Sequence, residues 1–398
     1  MSEFIQYGKQ TIEECDLEAV IEVFRENKYL TTGPRVAKFE QAVCDMIGVK
    51  YAFAVNSGTA ALHCATRAIR LKSGDEVIVP AITFAASANC ALFEGATPVF
   101  CDVDPETLNI DIEKAEQLVN KNTKAIVAVD YAGQPPNYHD LRKLCDKHDL
   151  VLIEDAAHSI GHKIDFDSNG DSVCPARKYV GSYADMTTYS FHPVKNMTTG
   201  EGGMIVTNND EYAKRIKTFR THGISTEHNE RKLHGYDIVE LGFNYRLTDF
   251  QCALGLSQLK RVSTWVARRQ EIAKKYDQAF KNLDNGVSDL LRPLANKTSS
   301  CHHIYVILLE LEKLDCDRDI IFAELKDKGI GVNVHYIPVY WLSYYKDFPH
   351  VKSERGLCPV AEDAYMRMIT IPLFPTMTEE QIDKVINEVC NVISNHRR

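Results

Sequence analysis

Five short apolar runs, each closing on a polar or turn residue, constrain this chain more than anything else in it: EVIVP (76–80), PVFCDV (98–103), KAIVAVD (124–130), LVLIEDA (150–156) and GGMIVTN (202–208). Segments with helical spacing lie between them, such as AALHCATRAIRL (60–71) and YHDLRKLCDKH (138–148). Near-continuous apolar strands alternating with helices predict an α/β fold with a mostly parallel sheet buried on both faces. In such a sheet ligands bind beyond the carboxyl ends of the strands, so the residues just after each run are where chemistry is to be sought.

After about residue 250 the texture changes. The spacing predicts a long amphipathic helix over roughly 248–284, a strand in HHIYVILLEL (302–311) and a helix near 316–328. A strand in GIGVNVHYIP (329–338) and a closing helix from Thr378 follow. This is the pattern of a compact α+β unit, and the expected division is a large domain over 1–260 and a small one over 261–398. The polar stretch 162–182 interrupts the sheet as a surface excursion or small hairpin. DFDSNGD (165–171) within it has a calcium-like look but lacks the twelfth-position Glu and flanking helices of an EF-hand, so a plain loop is expected.

Composition removes several classes. A formal charge of −9 over 398 residues leaves no basic excess to neutralise phosphates, so no nucleic-acid partner is expected. The twelve cysteines are scattered with no CxxC, which argues against a zinc ribbon and for reduced thiols in the core. MSEFIQYGKQ lacks a basic region followed by an apolar one, and no run approaches the roughly 18 apolar residues of a membrane span. A cytoplasmic protein is expected. Gly58 stands without a GxGxxG pattern, which disfavours a nicotinamide-dependent dehydrogenase.

Three pieces of sequence converge on one chemistry. NSGTAALHCA (56–65) is a Gly-Thr turn opening a helix, whose free N–H groups and dipole make an anion site. An ordinary N-cap by Ser57 or Thr59 explains the same residues. Asp155 ends an apolar strand with His158 three residues on; the competing readings are a helix cap, or a metal set with His162 that the polar break after Gly161 disfavours. Lys195, in SFHPVKNMTTGEGG (190–203), again lies just past an apparent strand end, where a solvated loop lysine is the plainer reading. A phosphate cradle, a strand-end Asp and a strand-end Lys together fit pyridoxal phosphate. Lys195 would supply the Schiff-base amine, Asp155 would pair with the pyridinium nitrogen, and the helix N-terminus would hold the phosphate. No metal is expected.

The motifs LTTGP (30–34), NSGTAAL (56–62), PAITFAASAN (80–89), EDAAHSIG (154–161), SFHPVK (190–195), EGGMIVTN (201–208) and LGFNYRLTDFQCALGLSQL (241–259) occur in one order. In that order they resemble the fold-type-I pyridoxal-phosphate aminotransferases of DegT/DnrJ/EryC/StrS type, which act on nucleotide-linked keto sugars. The resemblance implies that Lys195 carries the cofactor, with Asp155 as its pyridinium partner. It implies Thr59, Ala60 and Ser190 as phosphate ligands beside Gly58, Phe84 stacked on the ring, and His158 on its other side. Asn244 is similar to the asparagine that reaches the phosphate of the neighbouring subunit, which implies a homodimer with shared sites. Relatives with His at the position of Lys195 deoxygenate instead, so Lys implies transamination, with an amino acid such as L-glutamate as donor.

SFHPVK, HHIYVILL and GVNVHYIPVY (331–340) further resemble the subgroup forming UDP-4-amino-4,6-dideoxy-N-acetyl-β-L-altrosamine, a step toward pseudaminic acid. By that resemblance Tyr7, Lys28, Tyr29, Leu30, Thr31, His335 and Tyr336 would contact the sugar nucleotide. Perosamine- or viosamine-type synthases on GDP- or dTDP-linked 4-keto-6-deoxy sugars are the alternative, and a non-catalytic regulatory relative is a remoter one that the retained Lys195, Asp155 and Asn244 disfavour.

Overall fold

The computed structural model describes residues 4–164, 178–225, 235–348 and 350–398. Its strands are β1 (Tyr51–Val55), β2 (Glu76–Pro80), β3 (Thr97–Cys101), β4 (Thr123–Val129), β5 (Val151–Asp155), β6 (Lys163–Ile164), β7 (Lys178–Tyr179), β8 (Met186–Ser190), β9 (Gly203–Thr207), β10 (Leu291–Pro293), β11 (Tyr305–Leu309) and β12 (Met368–Ile371). A seven-stranded sheet has the order β1-β9-β8-β5-β4-β2-β3. The pairs from β8 through β3 are parallel, while β9 runs antiparallel to both β8 and β1. Six strands therefore point one way and β9 alone is reversed. The cause is local: residues 191–202 between β8 and β9 contain no crossover helix, so the chain can only return beside itself. That return loop carries Lys195 across the carboxyl end of the sheet.

The five apolar runs of the sequence are β2, β3, β4, β5 and β9, buried along nearly their whole length as a doubly covered sheet requires. The stretch 162–182 contains the small hairpin of β6 and β7, with Lys163 opposite Tyr179; the calcium-like 165–171 lies outside the described residues. Among the described residues no helix is long and apolar enough to cross a membrane. All described cysteines except Cys15 and Cys316 are buried, and all are free thiols.

Two expectations for the C-terminal part need correction. The long helix over 248–284 is two helices, Asp249–Leu259 and Val262–Lys281. The break falls at Lys260–Arg261, where the Arg261 guanidinium is tied to Asp16 at 2.6 Å and to Glu13 at 3.3 Å on the first helix, Glu14–Glu26, and its N-cap. Apolar periodicity runs across that break because both helices bury a face, so the spacing alone cannot reveal it. The segment GIGVNVHYIP is not a strand. It makes single bridges only, Ile5 with Ile330 and Asn333 with Thr370. The Asn333 side chain takes the Val334 N–H at 2.8 Å, removing it from any ladder, and Pro338 has no N–H to give. The strand that pairs with β11 is instead β12, and β10-β11-β12 form an antiparallel sheet.

That small sheet packs against helices Val262–Lys281, Arg318–Asp327 and Glu379–Asn395 through a core including Tyr276, Phe280, Ile307, Ile321 and Val385. Residues Val339, Tyr340, Tyr345, Cys358 and Ala361 return to the core of the large sheet. The chain thus crosses between the two sheets more than once. The backbone around 301–303 is pinned on the way, with Cys301 N–H bonded to Gly133 O and His303 N–H to Ala132 O, each at 3.0 Å. Both acceptors lie just after β4, which brings His303 to the carboxyl end of the large sheet.

Candidate active site

Residues from four strand ends meet on one floor. Asn56 to Gly58 follow β1, Phe84 follows β2, Asp155 ends β5, and Ser190 ends β8 with Lys195 beyond it. At the β1 end, Ser57 caps the helix Gly58–Ala68, its Oγ accepting from Ala60 N–H at 3.0 Å. The N-cap reading of this turn is therefore present in the structure. It commits the Ala60 amide, but the Gly58 and Thr59 N–H groups, in the first turn, have no intrahelical acceptor. A Cβ on Gly58 would lie 2.9 Å from the Ser190 Cβ, so only glycine lets this helix start sit against the end of β8. Ser190 Oγ accepts from His192 N–H at 3.4 Å, leaving its own proton uncommitted.

Asp155 is buried at the end of β5. Its Oδ2 accepts from Ser87 Oγ at 2.7 Å and its Oδ1 from Ala157 N–H at 3.2 Å, while Thr83 Oγ1 and Ser87 Oγ are 2.7 Å apart. Burial raises the Asp155 pKa, and the bonds from Ser87 and Ala157 and the nearby Lys195 charge oppose that rise. Burial pulls Lys195 down to about 8, against the upward pull of Asp155. Among the described residues no acceptor lies within hydrogen-bond reach of Lys195 Nζ. A partly desolvated, unbonded amine beside a carboxylate has its neutral, nucleophilic form accessible near neutral pH.

His158 forms one wall. Its Nε2 is 3.3 Å from Tyr336 Oη, and the two rings lie 6.3 Å apart at an interplanar angle of 26°. Burial, with Lys195 and His335 adding like charge, holds His158 well below the ordinary imidazole range, so it is neutral. Its Nδ1 is buried without a partner. The Phe84 ring sits 6.1 Å from that of Tyr336 and is 61% exposed. Tyr7 packs its ring 5.4 Å from His335, whose Nδ1 is 2.9 Å from Thr370 Oγ1. His162 stands apart, its Nε2 3.0 Å from Ser299 Oγ. The described residues hold one potential metal-ligand cluster, Asp315, Cys316 and His396, far along the chain from this site.

The structure therefore gathers Gly58, Thr59, Phe84, Asp155, His158, Ser190, Lys195, Tyr7, His335 and Tyr336 at the same end of the large sheet. It does not bring Lys28, Tyr29, Leu30 and Thr31 there. These are exposed, and their backbone joins the start of helix Asp249–Leu259 through Leu30 O to Asp249 N–H at 2.9 Å and a Thr31–Thr248 bridge. Asn244 is exposed as well, its carbonyl accepting from Asn56 Nδ2 at 3.3 Å and its Oδ1 from Arg246 Nε at 3.0 Å. Sequence reasoning missed Ser87 and His303. Ser87 carried a signal, since Thr83 and Ser87 fall four apart and so share a side of the turn entering a helix. His303 carried only its place before a fully apolar strand.

These features fit pyridoxal phosphate. The helix start offers two uncommitted N–H groups to a phosphate, Asp155 offers a buried carboxylate to a ring nitrogen, and Lys195 offers an unbonded amine to an aldehyde. If Lys195 is that amine, uptake of the cofactor by the cofactor-free protein should accelerate as pH rises through about 8 and level off above it. The growth of visible absorbance measures this, and a rate flat from neutral to alkaline pH contradicts it.

Comparison with known proteins agrees with this chemistry. The model of the DegT/DnrJ/EryC1/StrS aminotransferase family matches residues 10–390. The spore coat polysaccharide biosynthesis protein SpsC of Bacillus subtilis is 35% identical over 397 residues, covering 98% of this chain and 97% of SpsC. Among solved structures, Helicobacter pylori PseC, an aminotransferase involved in pseudaminic acid biosynthesis, is 34% identical with a TM-score of 0.88, over 99% of this chain and 100% of PseC. Spr1654 of Streptococcus pneumoniae, in its PLP form, is 30% identical with a TM-score of 0.86, over 98% of this chain and 99% of that one. A PMP form of Spr1654 matches equally well, at a TM-score of 0.86. The chain belongs to the DegT/DnrJ/EryC1/StrS aminotransferase family and is a sugar aminotransferase dependent on pyridoxal phosphate.

Proposed function

We propose that this chain moves the amino group of L-glutamate to a nucleotide-linked 4-keto-6-deoxy sugar, the UDP-N-acetyl 4-keto sugar on the route to pseudaminic acid. The observation that carries the reading is the placement of Lys195, past β8, beside the buried Asp155 at the end of β5, under a wall of His158 and Tyr336. The likeness over the whole chain to PseC supports the choice of sugar.

Pyridoxal phosphate, when bound, supplies the carbonyl that takes up the amino group and a ring that withdraws electrons from the carbon losing its proton. Lys195 holds it covalently at rest. Freed from that role by the donor, the Lys195 amine would take the proton from the donor Cα and, in the second half of the exchange, would return one to the sugar C4. Asp155 keeps the ring nitrogen protonated, because a cation beside a buried carboxylate favours the charged pair. Gly58, Thr59 and Ser190 would hold the phosphate, the Ala60 amide being taken by Ser57 Oγ; Phe84 and His158 would hold the ring faces, and Tyr7, His335 and Tyr336 would meet the sugar.

The working unit in this reading is a homodimer. Leu17, Ile21 and Phe24 form an exposed apolar stripe on the first helix, and Ile238, Val239, Leu241 (78% exposed) and Phe243 extend an exposed apolar run up to Asn244. Exposed apolar groups of this density mark an interface. A partner's site would receive Asn244 and Lys28 to Thr31. Mixing inactive Lys195→Ala and Asn244→Ala subunits should then restore up to about half the native activity per mixed dimer, since one site collects both lesions. No restoration, with exchange verified by mass, contradicts the shared site.

The substrate is tested with a panel of UDP-, dTDP- and GDP-linked 4-keto-6-deoxy sugars, glutamate as donor, and 2-oxoglutarate formation as readout. The UDP-N-acetyl sugar should turn over fastest. Preference for a GDP or dTDP sugar assigns the perosamine- or viosamine-type reaction instead, and turnover of none rejects the substrate class.

A further inference from the structure

The His303 ring lies 4.3 Å from the His158 ring, centroid to centroid, at a 39° tilt. Both side chains are buried, and His303 belongs to no other part of the arrangement described above. Its Nδ1 is buried without a partner, and among the described residues Nε2 has none either. A buried ring nitrogen that forgoes its hydrogen bond forfeits stability, so the ring's place must be secured by something else. That something is its backbone. His303 N–H bonds Ala132 O at 3.0 Å, and His303 O accepts from the Arg269 guanidinium at 2.9 Å.

Arg269 is itself buried and, among the described residues, has no carboxylate partner; it spends its donors on carbonyls, adding Leu373 O at 3.0 Å and His302 O at 3.5 Å. Leu373 N–H in turn bonds Tyr7 O at 3.1 Å. One buried cation thus fastens the segments bearing His303 and Tyr7 to the helix Val262–Lys281. Such a clamp is costly to build, and what it holds in place is a ring face rather than a hydrogen-bonding group.

We propose that His303 is a positioning residue for the amino-transfer reaction: its ring buttresses His158 from behind, fixing the imidazole against the Tyr336 hydroxyl and keeping water away from it. The inference rests on the reading of His158 as the wall of the cofactor site. His158 is faced by His303, Tyr336, Lys195 and His335, and of these Tyr336 alone bonds it. With His303 in place, His158 sits in a dry pocket surrounded by groups that are neutral or cationic and stays unprotonated. Removing the ring opens a space that water fills, which hydrates the imidazolium form and raises the His158 pKa toward its ordinary value.

The test compares His303→Ala with His303→Phe in the cofactor-loaded protein, through the pH profile of kcat/KM and an NMR titration of the His158 ring, assigned with His158→Gln. Ala should lose about 100-fold in kcat/KM, the scale of an ångström-sized misplacement, and should move the His158 titration to higher pH. Phe, which restores a ring face with no nitrogen, should recover most of the rate and leave His158 unprotonated as in the native chain. Should Ala fail to fold, His303→Leu takes its place, filling volume without a ring face. Equal losses for Ala and Phe mean that an imidazole nitrogen of His303 is used directly, which overturns the proposal. Near-native rates with an unmoved His158 titration in Ala overturn it too. The titration separates this inference from the function reading: an inactive native protein on every keto sugar rejects the substrate, yet the His158 shift can still be measured.

Discussion

Lys195→Ala should fold, bind cofactor only non-covalently and lose turnover by roughly 10⁴-fold or more, the upper range of a proton-transfer group with its covalent role removed as well. Folding should survive because the Lys195 side chain makes no hydrogen bond among the described residues, and the packing beneath it comes from neighbours such as Phe191 and Met197 in the core between β8, β9 and helix Pro34–Ile47. Removing the amine takes away a charge that opposes the burial-driven rise of Asp155. Asp155 should therefore become easier to protonate in the variant. The readouts are the visible band, its persistence after borohydride treatment and dialysis, and 2-oxoglutarate formation. A variant that keeps both the reducible band and native turnover would falsify the role given to Lys195.

The second large effect belongs to Asp155→Asn. The amide keeps the shape and can still accept from Ser87, so the protein should fold and retain some cofactor. It cannot hold a proton on the ring nitrogen by charge, and the ring then withdraws electrons poorly. The expected loss is about 10²–10³-fold in kcat, the range found when one electrostatic contact to developing charge is removed. KM for both substrates should change little, because Asp155 is held by Ser87 and the Ala157 N–H and would meet the cofactor rather than either substrate. A loss confined to KM, or none at all, contradicts the assignment.

The large sheet was legible because its strands are covered on both faces and so read as unbroken apolar runs; β2, β4 and β5 lie within a residue or two of EVIVP, KAIVAVD and LVLIEDA. Lys195 and Asp155 were legible for a related reason. A polar residue directly after such a run falls at the carboxyl end of the sheet, where no packing role competes for it. What escaped was set by contacts that leave no local pattern. Tyr336 meets His158 across 178 positions of chain, and nothing in HYIP announces that bond. His303 and Arg269 are joined through backbone carbonyls, to which any residue type can contribute. The helix break at Lys260–Arg261 is made by Asp16 near the N-terminus, while the periodicity around it runs on unchanged. In 329–338 the apolar residues suggested a strand, and a single side-chain bond from Asn333 is enough to undo the ladder.

The most direct test is to reduce the protein, as purified with its cofactor, with borohydride and map the labelled peptide by mass. A pyridoxyl group on Lys195, and on no other lysine, is the result the geometry of β5, β8 and the 191–202 loop predicts. Label on any other lysine, or a protein that binds the cofactor and takes no label, contradicts it.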